Sequence, residues 1–269
     1  MAKEKMNAAQ VAAMVFGLVA LCLAAIAVWQ PFAQTRNPEA VLLSGAYENF
    51  AVPYVFALVG LILVGAVCVW LERKSRGILH ALTGLAFLAY WVVCEYRMRM
   101  DILEYVFGGY AGAYYCLLAA AFLMLGAGLL LAGAERKMMP TGLLVLTVFA
   151  LQLTAFMTFM PFAEEHAMDG RWGQYALVGW MRCVILAICL FEAGVVLARD
   201  MRKDILLLLG GVFILAMVIG SFLNEYYNVA NARLGFYGFV IGGLLLLLVG
   251  ILLPGRLKMH SLQPEAGHE

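Results

Sequence analysis

Eight apolar stretches of roughly 20 residues, each bounded by charge, leave this chain almost no choice of fold. A helix of that length crosses a hydrocarbon core of about 30 Å, and in lipid a segment must satisfy its own backbone hydrogen bonds, which favours helices over open strands. The stretches predict helices over Ala8–Trp29, Phe50–Leu71, Gly77–Cys94, Ala111–Gly133, Pro140–Met160, Gln174–Ala198, Ile205–Leu223 and Gly235–Leu253. They consume most of the 269 residues, and no room is left for a soluble domain. Composition agrees: 65% of residues are hydrophobic, only 13% are charged and the mean hydropathy is +0.91, where a soluble domain carries about 25% charged residues. The expected fold class is an all-α polytopic membrane protein.

Lys and Arg concentrate on the cytoplasmic side in short loops. Lys3, Lys5, Arg73, Lys74, Arg76, Arg136, Lys137, Arg199, Arg202, Lys203, Arg256 and Lys258 all fall on one side of the eight-span scheme. That places both termini in the cytoplasm. Glu39, Glu48, Asp101, Glu104, Glu164, Glu165 and Asp169 make the opposite face acidic. Lys3 and Lys5 before an apolar run resemble a signal peptide, but that run is longer than a typical signal core and has a counterpart inside the chain. It is read as a retained helix. The six cysteines lie in or at the ends of apolar stretches with no CxxC spacing, which favours small core residues over disulfides or zinc ligands. The absence of organelle signals suits the cell inner membrane of a bacterium.

The counterpart belongs to an internal repeat. Trp29-Gln30-Pro31-Phe32-Ala33 is matched 130 residues later by Phe159-Met160-Pro161-Phe162-Ala163, and Glu95-Tyr96 by Glu225-Tyr226 at the same offset. The second and sixth helices align at 129, and the fourth and eighth align poorly. With an even number of spans per copy, both copies enter the membrane the same way, a parallel repeat. The expected organisation is a first four-helix repeat over 1–137, a second over 138–259 and a cytoplasmic tail over 260–269.

Ionisable groups within lipid are costly and mark candidate sites. Glu95 and Glu225, with Tyr96 and Tyr226, stand high in the third and seventh helices; if the repeat holds, the two acids form a pair facing an outward vestibule between the halves. Arg182, about eight residues into the sixth helix, and Arg97 are the basic partners within reach of that level. A structural salt bridge, or acids among interfacial headgroups, accounts for the same residues. Glu192, between Phe191 and Ala193, is the most deeply placed acid: facing the bundle it is a proton or cation site, and facing Gln152 or Thr154 it is a hydrogen-bonded pin. Together Glu95, Tyr96, Arg97, Arg182, Glu192, Glu225 and Tyr226 are the candidate substrate-binding residues.

No catalytic residue, cofactor or metal site is expected. His80 is the only histidine within a span, whereas haem ligation needs paired ligands. No GxSxG, HExxH or phosphate-binding glycine loop occurs, and nothing suggests nucleic acid. The leading functional expectation is a transporter or channel-like protein for a small polar or cationic solute; the alternative is a non-transport subunit or sensor of a larger complex. An enzyme acting within the membrane would have to draw its acid and base from Glu95, Glu225, Glu192 or His80. Besides the lipid bilayer, a homo-oligomer or membrane-protein partner is compatible with the glycines of the fourth and eighth helices.

Overall fold

A helix that meets lipid must turn large apolar side chains outward and has no need of them inside. The first helix does this along its whole length. In the computed structural model, which describes residues 7–30, 32–35, 51–71, 77–102, 107–110, 112–136, 139–166, 172–176, 179–198, 202–223 and 233–253, α1 spans Ala8–Trp29 and buries Ala9, Ala13, Gly17, Ala20, Ala24 and Ala27. Every one is small, and the spacing of three or four residues keeps them on one face. Val11, Val15, Leu18, Ile26 and Trp29 face outward. Packing through Ala and Gly lets backbones approach closely, the usual solution where lipid removes any hydrophobic reward for burying Leu. Asn7 starts the helix: its side chain accepts from the Gln10 amide at 2.8 Å, while its own amide donates to Gln10 Oε1 at 2.9 Å, a reciprocal cap.

The described residues contain eight helices: α1, α2 (Ala51–Leu71), α3 (Ile78–Ile102), α4 (Gly112–Glu135), α5 (Thr141–Met157), α6 (Gly179–Leu197), α7 (Lys203–Leu223) and α8 (Leu234–Leu252). Seven are long and apolar enough to cross a membrane. The eighth expected span, α5, has 17 helical residues, about 26 Å of rise. Pro140 precedes it and Pro161 cannot continue it. Between them, i→i−3 bonds at Thr158, Phe159 and Met160 extend the rod by a tighter turn worth about 6 Å.

Two boundaries differ from expectation for local reasons. α3 runs on to Ile102 instead of ending at Cys94, because Glu95–Ile102 contains helix formers and no Gly or Pro. α6 begins at Gly179 rather than Gln174, because Trp172–Ala176 is a strand. That strand, β4, pairs antiparallel with β3 (Pro161–His166), and β1 (Ala33–Thr35) pairs antiparallel with β2 (Phe107–Tyr110). These two short ribbons are additions to the helical architecture that the all-α expectation did not include.

The chain divides into two compact units, Met1–Glu135 and Arg136–Glu269. Within the first, α4 packs on α1 and α3, and α2 bridges α1 and α3. Within the second, α8 packs on α5 and α7, and α6 bridges α5 and α7. Close backbone approach sets both central contacts. In the first unit Gly77, at φ +91°, lies against Gly128, and a Cβ on Gly84 would stand 2.8 Å from the Leu125 amide nitrogen. In the second, Cβ atoms on Gly211 and Gly250 would stand 2.9 Å from the Leu247 amide and 2.8 Å from the Leu208 amide.

Candidate functional site

The second unit holds a carboxyl group where lipid-embedded helices rarely place one. Glu192 lies on α6 five residues before its last residue, Leu197, so about 7.5 Å inside that end. It is 1% exposed. Its neighbours on the helix, Leu190 and Phe191, are turned outward, so rotation of the helix alone directs Glu192 inward. What receives it is Gly210 on α7: the Oε1 atom occupies the space where a Cβ would be, with Cδ at 2.9 Å and Cγ at 3.2 Å from that point. The other oxygen, Oε2, is buried without a hydrogen-bond partner among the described residues. Cys189, one turn earlier on α6, is also buried.

Thr154, a partner considered for a hydrogen-bonded pin, turns its hydroxyl to Ala150 O at 2.8 Å, and Thr147 donates to Leu143 O at 2.7 Å. Thr154 packs against Gly242 of α8.

The end of the second unit nearest Glu192 is built from cations. Lys203 Nζ donates to Val196 O at 2.8 Å and Arg136 Nη1 to Leu197 O at 2.9 Å. Two positive groups thus satisfy the last carbonyls of α6, where the helix dipole is negative. Beside them Arg202 pairs with Asp204 at 3.2 Å, at the start of α7.

In the first unit, Glu95 is half-buried on α3 and Tyr96 is exposed. Just before them, Tyr90 donates its hydroxyl to Tyr54 O at 3.0 Å, and Trp91 packs on Tyr114, which meets Phe32 edge-on at 5.4 Å. His80 is buried on the same helix, its Nε2 3.1 Å from the point a Cβ on Gly17 would occupy. Arg182 lies half-buried near the start of α6, ten residues and about 15 Å along the helix from Glu192. Glu225, Tyr226 and the side chain of Arg97 lie outside the described residues. The structure therefore supplies a geometry for Glu192, Glu95, Tyr96 and Arg182, with Glu95 and Tyr96 in one unit and Arg182 and Glu192 in the other.

The buried faces of helices in the two units can also be set side by side. On α3 the buried positions are Gly77, His80, Thr83, Gly84, Phe87 and Trp91; on α7 they are Lys203, Asp204, Leu207, Gly210, Gly211, Ile214, Val218 and Ser221. Six positions of each helix match at a spacing of 127. On α2 and α6 the same spacing relates Leu58 to Ile185 and Gly65 to Glu192, where a 129 offset pointed to Leu63, which is exposed. Gly210, against which the Glu192 carboxyl packs, is the position that sequence reasoning missed. No family model, curated protein or solved structure matches the chain.

Proposed function

We propose that this chain is a transporter or channel-like protein that carries a small polar or cationic solute across a bacterial inner membrane, with both termini cytoplasmic. Its two units are two parallel four-helix repeats. Supporting the duplication are the like neighbour patterns within each unit and a partial match of buried faces, at spacings that differ from one helix pair to the next: Gly17, Ala20 and Ala24 with Thr147, Ala150 and Thr154, and Ala113, Leu117, Ala121 and Gly128 with Gly235, Phe239, Gly243 and Gly250. Four helices per copy return the chain to its starting side, so the copies share one orientation.

The observation that carries the function is the Glu192 carboxyl, enclosed within a membrane-spanning helix pair with one oxygen lacking a hydrogen bond among the described residues. Such a group costs several kcal/mol and is ordinarily retained where ions or protons move. Glu95 and Arg182, each near the ribbon end of its own unit, are the polar groups offered to a solute arriving from the outer, acidic face.

Reconstitution tests this reading. Purified protein in liposomes, offered a panel of small cations and polar solutes, takes up at least one above empty liposomes, and Glu192→Gln brings that uptake down to background while melting like the wild type. Flux of no panel member, or equal flux through wild type and Glu192→Gln, overturns it.

A further inference from the structure

We infer that Glu192 binds a proton, and that the ion it exchanges is H⁺ rather than a metal cation. This rests on the transport reading and names the ion for that same residue.

A bound metal ion needs several oxygens around it: Ca²⁺ takes six or more and Mg²⁺ near-octahedral ligation. Transporters that hold Na⁺ inside the membrane commonly supply backbone carbonyls from unwound helix segments. Here α6 is continuous from Gly179 to Leu197 and α7 from Lys203 to Leu223, so the carbonyls flanking Glu192 and Gly210 are engaged within their helices. Thr147 and Thr154 spend their hydroxyls on their own helix. Among the described residues no group of three His, Cys, Asp or Glu side chains could hold a metal. The carboxyl also lies directly against Gly210, with Oε1 where a Cβ would be.

A carboxylate in that setting would carry a full charge against Cα hydrogens, with no donor on Oε2. A neutral carboxylic acid removes the charge and with it most of the desolvation cost. Its proton is lost only when α6 and α7 separate enough for water to reach the oxygen, so protonation and packing at Gly210 are linked.

Infrared difference spectroscopy reads the protonation state directly. Full-length wild-type protein minus Glu192→Gln at neutral pH shows the C=O stretch of a protonated carboxyl, which shifts down in D₂O, disappears at alkaline pH and is unaffected by NaCl or KCl at fixed pH. In Gly210→Ala, where the added methyl displaces the carboxyl, the band moves or loses intensity; this variant serves if Glu192→Gln does not fold. Carboxylate stretches in place of the C=O band at neutral pH, or loss of the band on adding either salt, overturn the inference. Uptake in liposomes is scored separately. Solute flux without a C=O band defeats the proton assignment alone, whereas a band without flux of any solute defeats the transport reading and leaves the proton site standing.

Discussion

Each unit has a crossing of its bridging helix with the next helix in which glycine meets a larger side chain, and the two crossings are solved in opposite ways. In the first, α2 contributes Gly65 and α3 contributes Thr83, whose methyl lies 3.0 Å from the point a Cβ on Gly65 would occupy. In the second, α6 contributes Glu192 and α7 contributes Gly210. Bulk sits on one helix in one unit and on the facing helix in the other, so the space between backbones is filled either way. Filling it with a threonine methyl costs nothing in charge. Filling it with a carboxyl does, and only one unit does so. A crossing that needs merely to be packed has the first solution available, which is why the second is read as functional.

Breaking the second crossing has the largest effect. Gly210→Thr drives a branched side chain onto the Glu192 carboxyl, and overpacking of this kind costs roughly 3 kcal/mol. Transplanting the arrangement of the first unit, by adding Glu192→Gly to Gly210→Thr, recovers much of that, with a coupling of about 2 kcal/mol in a double-mutant cycle. Thermal melting in detergent measures both, and simple additivity would mean that the two crossings are not equivalent.

Next in size is a feature of the first unit alone. Gly77 combines φ +91° with contact on Gly128, so Gly77→Ala loses about 2 kcal/mol from backbone strain and crowding. The level position in the second unit, Asp204, already carries a side chain, and Asp204→Ala removes its pairing with Arg202 without backbone strain. A smaller loss in that second variant sharpens the contrast. A third measurement concerns the cation-capped end of α6. Lys203→Met leaves Val196 O without its buried donor and costs about 1.5 kcal/mol, whereas Arg136→Met, at an exposed position, costs less than about 1 kcal/mol.

The smallest effect returns to the first crossing. Gly65→Ala meets only the ends of Thr83 and Leu21 and lowers stability by less than about 1 kcal/mol. Gly60→Ala, with open space around it, is neutral or slightly stabilising, since Ala gains up to about 1 kcal/mol over Gly in a helix. Reversal of that order would show the α2–α3 contact to be looser than its geometry.

Most of the fold was legible because hydropathy and length decide it. α1 spans the residues expected, and α2, α4, α7 and α8 differ by no more than two at either end. The ribbons were not legible: Ala33–Thr35 and Phe107–Tyr110 are too short to signal strands, and each is a strand only through its partner. The offset read from identities and the one that buried faces favour differ for a related reason. In apolar sequence, Leu and Ala identities recur by chance, while the buried face, set by which side of a helix meets another, does not. Glu192 was visible as a deep acid, but Gly210 is one glycine in a run of leucines. Its role depends on how α6 and α7 are rotated against each other, which no local pattern encodes.

The ribbons also fix an order of events during synthesis. β1 and β2 join Ala33 to Tyr110, 77 residues apart, across the α1–α2 and α3–α4 connections. β3 and β4 join Pro161 to Ala176, 15 residues apart, within the single α5–α6 connection. Since contacts distant in sequence form late and chains assemble from the N-terminus, the first ribbon cannot close until α3 and the connection that follows it have been made. The second can close as soon as α5 and α6 are in place. The earlier-made unit therefore stays open at that end through three helices of synthesis, and the later-made unit has its ribbon tied before the helix that supplies Gly210 to Glu192 arrives.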